Sequence, residues 1–249
     1  MISCVLFNKN TWYNKKKNIG LGEFYKGMGL IESNDKLCID EYNIIFSCIY
    51  KNYIRYCQEW DTIRQTEINL KKKCICDIYN LENQLDKQFE KYIHSFRKNL
   101  SNVYISILMD LQQNIDINRR IKFNGRVKTE DSILNKIHKK AKQDGGKFPI
   151  NNCINDLLGL RIIDPYYKEN IIYIENELKK FKNNGYKLRY MDRLNNEYKA
   201  YHVYLKKDNK SFPIELQIWD AKYEQVNINS HKEYKQDYIN DIIKNYKKL

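Results

Sequence analysis

The sequence predicts an α/β (α+β) fold in which helices flank a mixed β-sheet and a helical region precedes the sheet. Two observations support this prediction. Neither Gly nor Pro occurs between Asp40 and Asn118, a stretch too long for anything but helices. After Asn118, strand-like and helix-like segments follow one another in the order β-α-β-α-β-β-β-α, which is typical of a mixed sheet with helices packed on it.

The first half of the chain divides into an irregular arm and a helical region. Residues 1–40 contain four glycines and little periodicity, which predicts the arm. Residues 41–118 carry an apolar stripe with heptad-like spacing, which predicts one long helix or two helices joined near residues 99–102. This stripe either packs on the following domain or mediates self-association into a homo-oligomer. Its residues are Ile78, Leu81, Leu85, Phe89, Tyr92, Phe96, Leu100, Val103, Ile107 and Leu111.

The second half, residues 119–249, contains the elements of the sheet. Residues 121–128 alternate as a strand, and residues 132–142 form a helix. A buried strand lies within residues 154–164, followed by a helix at 171–181 and by strands at 186–191, 198–206 and 212–219. The turn residues Asp208 and Asn209 separate the last two strands, which predicts a hairpin. A basic, Tyr-rich helix begins near residue 221.

The stretch from Gly125 to Lys136 combines cations with the start of a helix. Thr129 is the predicted N-cap of this helix. Arg126 and Lys128 alternate on the entering strand, while Ser132 and Lys136 lie four residues apart on the helix. Because cations and free backbone N–H groups converge there, the stretch suits a polyphosphate. The alternative is a basic amphipathic helix with its lysines in water.

Two carboxylates occur beside or within predicted buried strands. Asp156 lies just before one strand, and Glu215 lies in the centre of another. Ile214 and Leu216 face one way along that strand, so Glu215 faces the other. A carboxylate that faces inward costs free energy unless it is paired or binds a metal, so two of them suggest Mg²⁺ held for phosphoryl transfer. The alternative is that Glu215 faces solvent on an edge hairpin.

The composition indicates which kinds of binding partner and which cellular compartment to expect. The formal net charge of +13 favours an anionic partner such as a nucleotide, RNA or an acidic membrane surface, although the high Lys, Asn, Ile and Tyr content also resembles the product of AT-rich coding. Seven cysteines at irregular spacing predict free thiols in a reducing cytoplasm. No stretch is long and apolar enough to cross a bilayer, which predicts a cytoplasmic protein without a membrane partner.

Five motifs in this half of the chain resemble those of the RelA/SpoT synthetase family. They occur in the family's order and with compatible gaps, over about residues 115–240. They are the Arg-x-Lys-x-x-x-Ser-x-x-x-Lys pattern at 126, 128, 132 and 136, the Asp-Leu-Leu-Gly-Leu-Arg run at 156–161, the Asn-Glu-Tyr-Lys-Ala-Tyr-His loop at 196–202, the Ile-Glu-Leu-Gln-Ile strand at 214–218, and the His-Lys-Glu-Tyr-Lys run at 231–235.

The resemblance implies a nucleotidyltransferase-like sheet and a transfer of pyrophosphate from ATP to a ribose 3′-hydroxyl. Asp156 and Glu215 would hold Mg²⁺ and act in catalysis, with Glu215 helping to activate the hydroxyl. The ATP-binding residues implied by the resemblance are Arg126, Lys128, Ser132, Lys136 and Arg161. The acceptor-binding residues implied by it are Asn196, Tyr198, His202 and Gln217, of which Tyr198 would stack on the acceptor base.

The chain departs from the family pattern on the acceptor side. Glu197, Ala200 and Trp219 stand where the family has Gly, Ser and Arg. The first histidine in the sequence is His94, so the metal site of the family's His-Asp hydrolase domain is not expected here. The resemblance therefore indicates a stand-alone, synthetase-only member.

Three functions follow as hypotheses. The first is a GTP/GDP diphosphokinase, an enzyme that transfers the β,γ-pyrophosphate of ATP to the 3′-hydroxyl of GDP or GTP and so makes guanosine tetra- or pentaphosphate. The second is a toxin-like pyrophosphokinase that modifies the 3′ CCA end of tRNA. The third, from another class, is an inactive RNA-binding module, and the intact Asp156 and Glu215 argue against it.

Overall fold

The computed structural model describes residues 39–80, 84–115, 122–194 and 198–230. The predicted arm lies almost wholly outside these ranges, as do Asn196, Glu197 and the closing motif at 231–235. The described residues confirm the predicted fold class, because a five-stranded mixed sheet is flanked by helices and preceded by a helical region.

The sheet contains both parallel and antiparallel pairs. Its strands in chain order are β1 (Lys122–Val127), β2 (Leu158–Ile163), β3 (Lys187–Leu194), β4 (Lys199–Lys206) and β5 (Ile214–Trp219). The spatial order is β1-β2-β5-β4-β3, with β2 and β5 parallel and the other neighbours antiparallel. The antiparallel pairing of β4 with β5 is the predicted hairpin, and β5 is the central strand of the sheet.

Helices precede and connect these strands. They are α1 (Ile39–Ile63), α2 (Lys87–Arg97), α3 (Leu100–Asn114), α4 (Glu130–Ala141), α5 (Ile150–Cys153) and α6 (Tyr167–Asn183), and residues 224–230 are also helical. None of the helices within the described ranges is both long enough and apolar enough to span a bilayer.

The heptad-like stripe is buried inside the chain. From Phe89 onwards it lies on two helices, α2 and α3, which break at Lys98 and Asn99, so the two-helix alternative is correct for that part. Ile78 and Leu85 precede α2, and Leu81 lies outside the described residues. Gly125 lies where α3 crosses β1, and a Cβ added there would meet the Tyr104 ring at 2.7 Å. The absence of a side chain at Gly125 therefore lets the helix approach the sheet. The buried members of the stripe on α2 and α3 are Phe89, Tyr92, Phe96, Leu100, Val103, Ile107 and Leu111.

The prediction that helices fill residues 41–118 is wrong for the segment between α1 and α2. There the described residues form turns, a short 3₁₀ helix at Ile75–Asp77 and isolated bridges. Asn69 Oδ1 accepts from the backbone N–H groups of Lys71 and Lys72, and Asp77 accepts from that of Cys74. Short polar side chains that bond the nearby backbone compete with helical hydrogen bonds, which explains the failure of a prediction based on absent Gly and Pro.

The sheet has one apolar face and one polar face. Side chains alternate between the faces, and registered partners on neighbouring strands share a face. The apolar face, which includes Leu160, Leu216 and Val203, joins the main hydrophobic core. The row across the centre of the polar face runs Arg126, Gly159, Glu215, Tyr204 and Arg189.

Candidate active site

Two lysines converge on Asp156 at the end of β1 and the start of α4. Lys128 Nζ lies 2.7 Å from Asp156 Oδ2, and Lys136 Nζ lies 3.0 Å from Asp156 Oδ1. Lys136 also donates to Asn155 Oδ1 at 3.1 Å. The stretch predicted to bind phosphate thus lies directly against the first predicted carboxylate, and both lysines are held by it.

This arrangement keeps Asp156 ionised. Burial raises the pKa of Asp156, but the positive charges of Lys136 and Lys128 and their hydrogen bonds lower it more, and the resulting pKa is about 2. The ordinary pKa of this group is 3.8. The side chain is only 18% exposed, so solvent screens these interactions weakly.

Acid should destabilise the protein through this group. Because the folded-state pKa of Asp156 is depressed, the stabilisation is present above its unfolded-state value and is lost as pH falls from about 5 towards 2. The stability gap is the free energy of unfolding of wild type minus that of Asp156→Asn. We expect this gap to be about 2 kcal/mol larger at pH 6 than at pH 2. Urea unfolding at several pH values measures this gap. A gap that stays constant with pH would show that Asp156 is not held ionised by the lysines.

The start of α4 is capped as the sequence predicts. Thr129 Oγ1 accepts from the backbone N–H of Ser132 at 3.4 Å and its hydroxyl donates to Ser132 Oγ at 2.8 Å. Ile133 and Ile137 are buried below, which fixes the exposed side of the helix. Ser132 therefore lies on the first turn, one turn before Lys136, where the helix dipole favours an anion.

Glu215 is buried on the central strand and is held by two neighbours. His202 Nδ1 lies 2.8 Å from Glu215 Oε1, and Gln217 Nε2 donates to Glu215 Oε2 at 2.7 Å. Burial raises the pKa of Glu215, but the hydrogen bond and positive charge of His202 lower it more, so the net pKa lies below the ordinary value. The alternative of a solvent-facing Glu215 on an edge hairpin is wrong, since β5 lies between β2 and β4.

A chain of hydrogen bonds connects Glu215 to Tyr198. His202 Nε2 lies 3.0 Å from the Tyr198 hydroxyl, and its Nδ1 also lies 3.2 Å from the Tyr204 hydroxyl. His202 therefore contacts Glu215 through Nδ1 and Tyr198 through Nε2, so each ring nitrogen has a hydrogen-bond partner. The predicted acceptor residues Tyr198, His202 and Gln217 are thus brought together around the second carboxylate.

Arg126 and Arg161, two of the predicted ATP-binding residues, lie near each other on the polar face. Arg161 is registered with Asn124 and Arg126 with Gly159, so the two cations occupy adjacent rows. The Arg161 guanidinium stacks on Trp219, with Cζ 3.5 Å from a ring centroid. Trp219 therefore covers one face of this guanidinium, and only its other face can take a base.

Two of the departures from the family pattern form a single structural change. Ala200 and Trp219 are registered directly across β4 and β5, and both are fully buried. They pack with Ile163 in a small separate cluster, and the Tyr198 ring meets Trp219 edge-on at 6.0 Å. The small side chain of Ala200 leaves room for the indole, so aromatic side chains line the predicted acceptor side, where the family pattern has Ser and Arg.

The structure adds three site residues that the sequence did not indicate. They are Asn155, Tyr204 and Asn227. Asn227 is fully buried and bonds both the N–H and the C=O of Lys199 at 2.9 Å, next to Tyr198. Tyr204 shares the polar face with His202, and strand alternation at 202 and 204 could have indicated it. Nothing in the sequence pattern could have indicated Asn227, because its partner lies 28 residues away.

The two carboxylates fit a magnesium ion that arrives with phosphates. Asp156 is close enough to Glu215 for its charge to act on the Glu215 pKa. Within the described ranges no three His, Cys, Asp or Glu side chains form a metal cluster. Mg²⁺ is commonly bound by one or two carboxylates together with substrate phosphates. Gly159 leaves open space beside Glu215, since a Cβ there would meet nothing within 4 Å.

Comparison with known proteins agrees with the motifs. Residues 125–239 match the family described as "Region found in RelA / SpoT proteins". No curated protein sequence matches the chain. A solved structure of a GTP pyrophosphokinase family protein from Streptococcus pneumoniae overlaps 61% of this chain and 77% of its own, with 19% identity and a TM-score of 0.40. The family match, rather than this partial overlap, identifies the region: the chain carries a RelA/SpoT region at residues 125–239.

Proposed function

We propose that this protein is an ATP-dependent pyrophosphokinase that transfers pyrophosphate to the ribose 3′-hydroxyl of GDP or GTP. One observation carries the proposal. Within the RelA/SpoT region, the Asp156 carboxylate with its two lysines and the buried Glu215 with His202 lie at one polar sheet face. The proposal assigns phosphate binding to the first group and activation of the acceptor hydroxyl to the second. The charge of Asp156 acts on the pKa of Glu215, and this closeness supports the proposal because pyrophosphate transfer needs the two groups near each other.

On the donor side, Lys128 and Lys136 supply the charge that a polyphosphate needs. In the free protein both ammonium groups are bound to Asp156. Phosphate oxygens would replace the carboxylate oxygens as their partners, with the Ser132 hydroxyl and the start of α4 adding hydrogen-bond donors. Asp156 and Glu215 would hold Mg²⁺, and the bound ion would supply positive charge against the negative charge that develops during transfer.

On the acceptor side, Glu215 is placed to receive a proton. The 3′-oxygen of the acceptor would attack the β-phosphorus of ATP, the bond to the α-phosphate oxygen would break, and AMP would leave. The hydroxyl proton would pass to the Glu215 carboxylate, which His202 and Gln217 hold in place through one oxygen each. Tyr198, fixed through its hydroxyl by His202, would offer its ring to the acceptor base.

Loss of either donor-side lysine should weaken ATP binding. A lost charge-assisted phosphate contact costs about 1.5–3 kcal/mol, so Lys128→Ala and Lys136→Ala should each raise the Kd for ATP roughly tenfold or more. Calorimetric titration measures this, and Lys142→Ala, which removes an exposed lysine just after α4, is the matched control. If both variants bind ATP like wild type, the stretch is a solvated basic helix.

A basic cluster beside the site favours tRNA as the second candidate acceptor. Lys187 and Lys206 are directly opposite in β3 and β4, and Arg189 and Lys71 lie close to Lys206. Burial lowers the pKa of Lys206, and these three neighbouring cations lower it further. Like charges placed opposite each other are unfavourable without an anion. Within the described residues none of the four forms an ion pair with a carboxylate, although the charge of Asp208 acts on Lys206. Arg189 stacks over Tyr204, so the cluster continues from Glu215 outwards.

A competition experiment decides between the acceptors. The protein is incubated with γ-labelled ATP and equal concentrations of GDP, GTP and deacylated tRNA. Labelled guanosine tetra- and pentaphosphate are expected. Label on tRNA alone would reject the proposal in favour of the second candidate.

Charge reversal in the basic cluster separates the same two functions. Transfer to GDP or GTP should change little in Lys187→Glu/Lys206→Glu, because a small nucleotide contacts few cations. Transfer to tRNA should be abolished and should fall steeply with salt, because a polyanion contacts many cations and releases counterions. Lys179→Glu/Lys182→Glu, two exposed lysines on α6, is the matched control.

A further inference from the structure

Arg97 connects the helical region to the segment that carries Lys128. It is the last residue of α2 and lies outside the RelA/SpoT region, which begins at residue 125. Its Nε donates to the backbone C=O of Lys128 at 2.8 Å, and its Nη1 lies 2.6 Å from Glu130 Oε1. The two bonds straddle Thr129, the N-cap of α4. One guanidinium therefore holds both sides of the turn that leads into this helix.

Buried contacts hold the end of α2 in place. Phe96, immediately before Arg97, is fully buried. Its ring meets Trp60 edge-on, with centroids 4.9 Å apart, and lies tilted against Phe212, with centroids 5.2 Å apart. The Tyr56 hydroxyl donates to the Phe96 carbonyl. Because the backbone before Arg97 is fixed in this way, the planar guanidinium fork needs little further ordering to make its two bonds.

The contact completes the anchoring of Lys128. The N–H of Lys128 donates to the Leu157 carbonyl at 2.8 Å, and its C=O accepts from Arg97 at 2.8 Å. With both backbone groups of Lys128 bonded, its side chain is directed to Asp156. We propose that Arg97 is a positioning residue, which sets the place of Lys128 and of the start of α4 for the phosphates of ATP. The ATP part of this proposal rests on the proposed function.

The carbonyl bond, rather than the ion pair, should carry the effect. Glu130 is 62% exposed, and exposed ion pairs contribute little. Glu130→Gln removes that pair and leaves the bond to the Lys128 carbonyl. Arg97→Met removes both bonds and keeps a long apolar side chain, whereas Arg97→Lys can restore one charge-assisted bond. Lys98→Met is the matched control, because it removes a neighbouring charge from an exposed side chain.

Two measurements on the full chain test the proposal. In Arg97→Met, amide hydrogen exchange across residues 126–134 should be faster than in wild type, with exchange in α6 unchanged. The Kd of a non-hydrolysable ATP analogue should rise about tenfold, because a misplaced Lys128 loses a charge-assisted phosphate contact. In turnover, KM for ATP should rise while KM for the acceptor stays constant. Glu130→Gln and Lys98→Met should resemble wild type, and Arg97→Lys should recover part of the affinity.

The outcomes separate this proposal from the proposed function. Unchanged exchange over residues 126–134 in Arg97→Met overturns the positioning role whatever the protein binds. Faster exchange with an unchanged analogue Kd overturns its link to ATP. An equal rise of both KM values in Arg97→Met would indicate general destabilisation and would also overturn the positioning role. A fall in melting temperature in Lys98→Met as large as that in Arg97→Met would do the same. A wild type that binds no ATP analogue counts against the proposed function, while the exchange result still decides whether Arg97 holds the segment.

Discussion

Glu215→Gln should lower the rate of pyrophosphate transfer by at least about a hundredfold, since it removes the carboxylate that we propose as base and metal ligand. The variant keeps the shape of the side chain. Its amide can still bond to His202 and Gln217, which lie 2.8 and 2.7 Å from the wild-type carboxylate, so the fold should be preserved. The Kd for ATP should change far less than kcat, because Lys128 and Lys136 are untouched.

Steady-state kinetics together with a melting curve checks this prediction. Glu59→Gln, an exposed glutamate on α1, provides a control for loss of one carboxylate. If Glu215→Gln turns over at a rate near that of wild type, Glu215 is not the acceptor-activating group. In that case the contact between His202 and Glu215 would only stabilise the pairing of β4 with β5.

Asp156→Asn should separate ATP binding from transfer. In the wild-type protein Asp156 competes with phosphate for Lys128 and Lys136, since it contacts both ammonium groups. Without its charge the lysines are released, so Mg²⁺-free ATP should bind about tenfold more tightly, as the gain of a charge-assisted contact implies. Transfer should nevertheless fall by at least about a hundredfold, because the carboxylate that we propose as a metal ligand is lost.

Titration of the variant with ATP, with and without Mg²⁺, measures both parts. Wild type should bind ATP more tightly when Mg²⁺ is present, and Asp156→Asn should lose that dependence. A variant that binds Mg²⁺-free ATP more weakly than wild type would contradict the competition between carboxylate and phosphate. A variant with wild-type dependence on Mg²⁺ would remove Asp156 from the set of metal ligands.

The sheet was predictable because its signals are local. Alternation along Ile214 to Ile218 placed Glu215 opposite the apolar residues, and the buried position of that strand confirms the assignment. Thr129 was predictable as an N-cap because a helix start needs a short polar acceptor there. The heptad-like stripe likewise located α2 and α3 and a possible junction near residues 99–102, and the structure shows that the helices do break, at Lys98 and Asn99.

The residues that escaped prediction depend on contacts between distant parts of the chain. Nothing near Asn227 in sequence indicates that it bonds to Lys199, and nothing near Arg97 indicates that it bonds to Lys128. The stack of Arg161 on Trp219 was also hidden, because these two residues become neighbours only through the register of β2 with β5. The irregular segment around Asn69 was missed for a different reason, since its side-chain bonds to the backbone replace the usual helix breakers.

The identity of the nucleotide left after transfer tests the central claim most directly. Wild-type protein is incubated with γ-labelled ATP, Mg²⁺ and GDP, and both products are separated and counted. Transfer of pyrophosphate predicts AMP and labelled guanosine tetraphosphate in equal amounts, with both lost in Glu215→Gln. Accumulation of ADP with a singly phosphorylated acceptor would contradict the claim, as would the absence of any transfer from a protein that binds ATP.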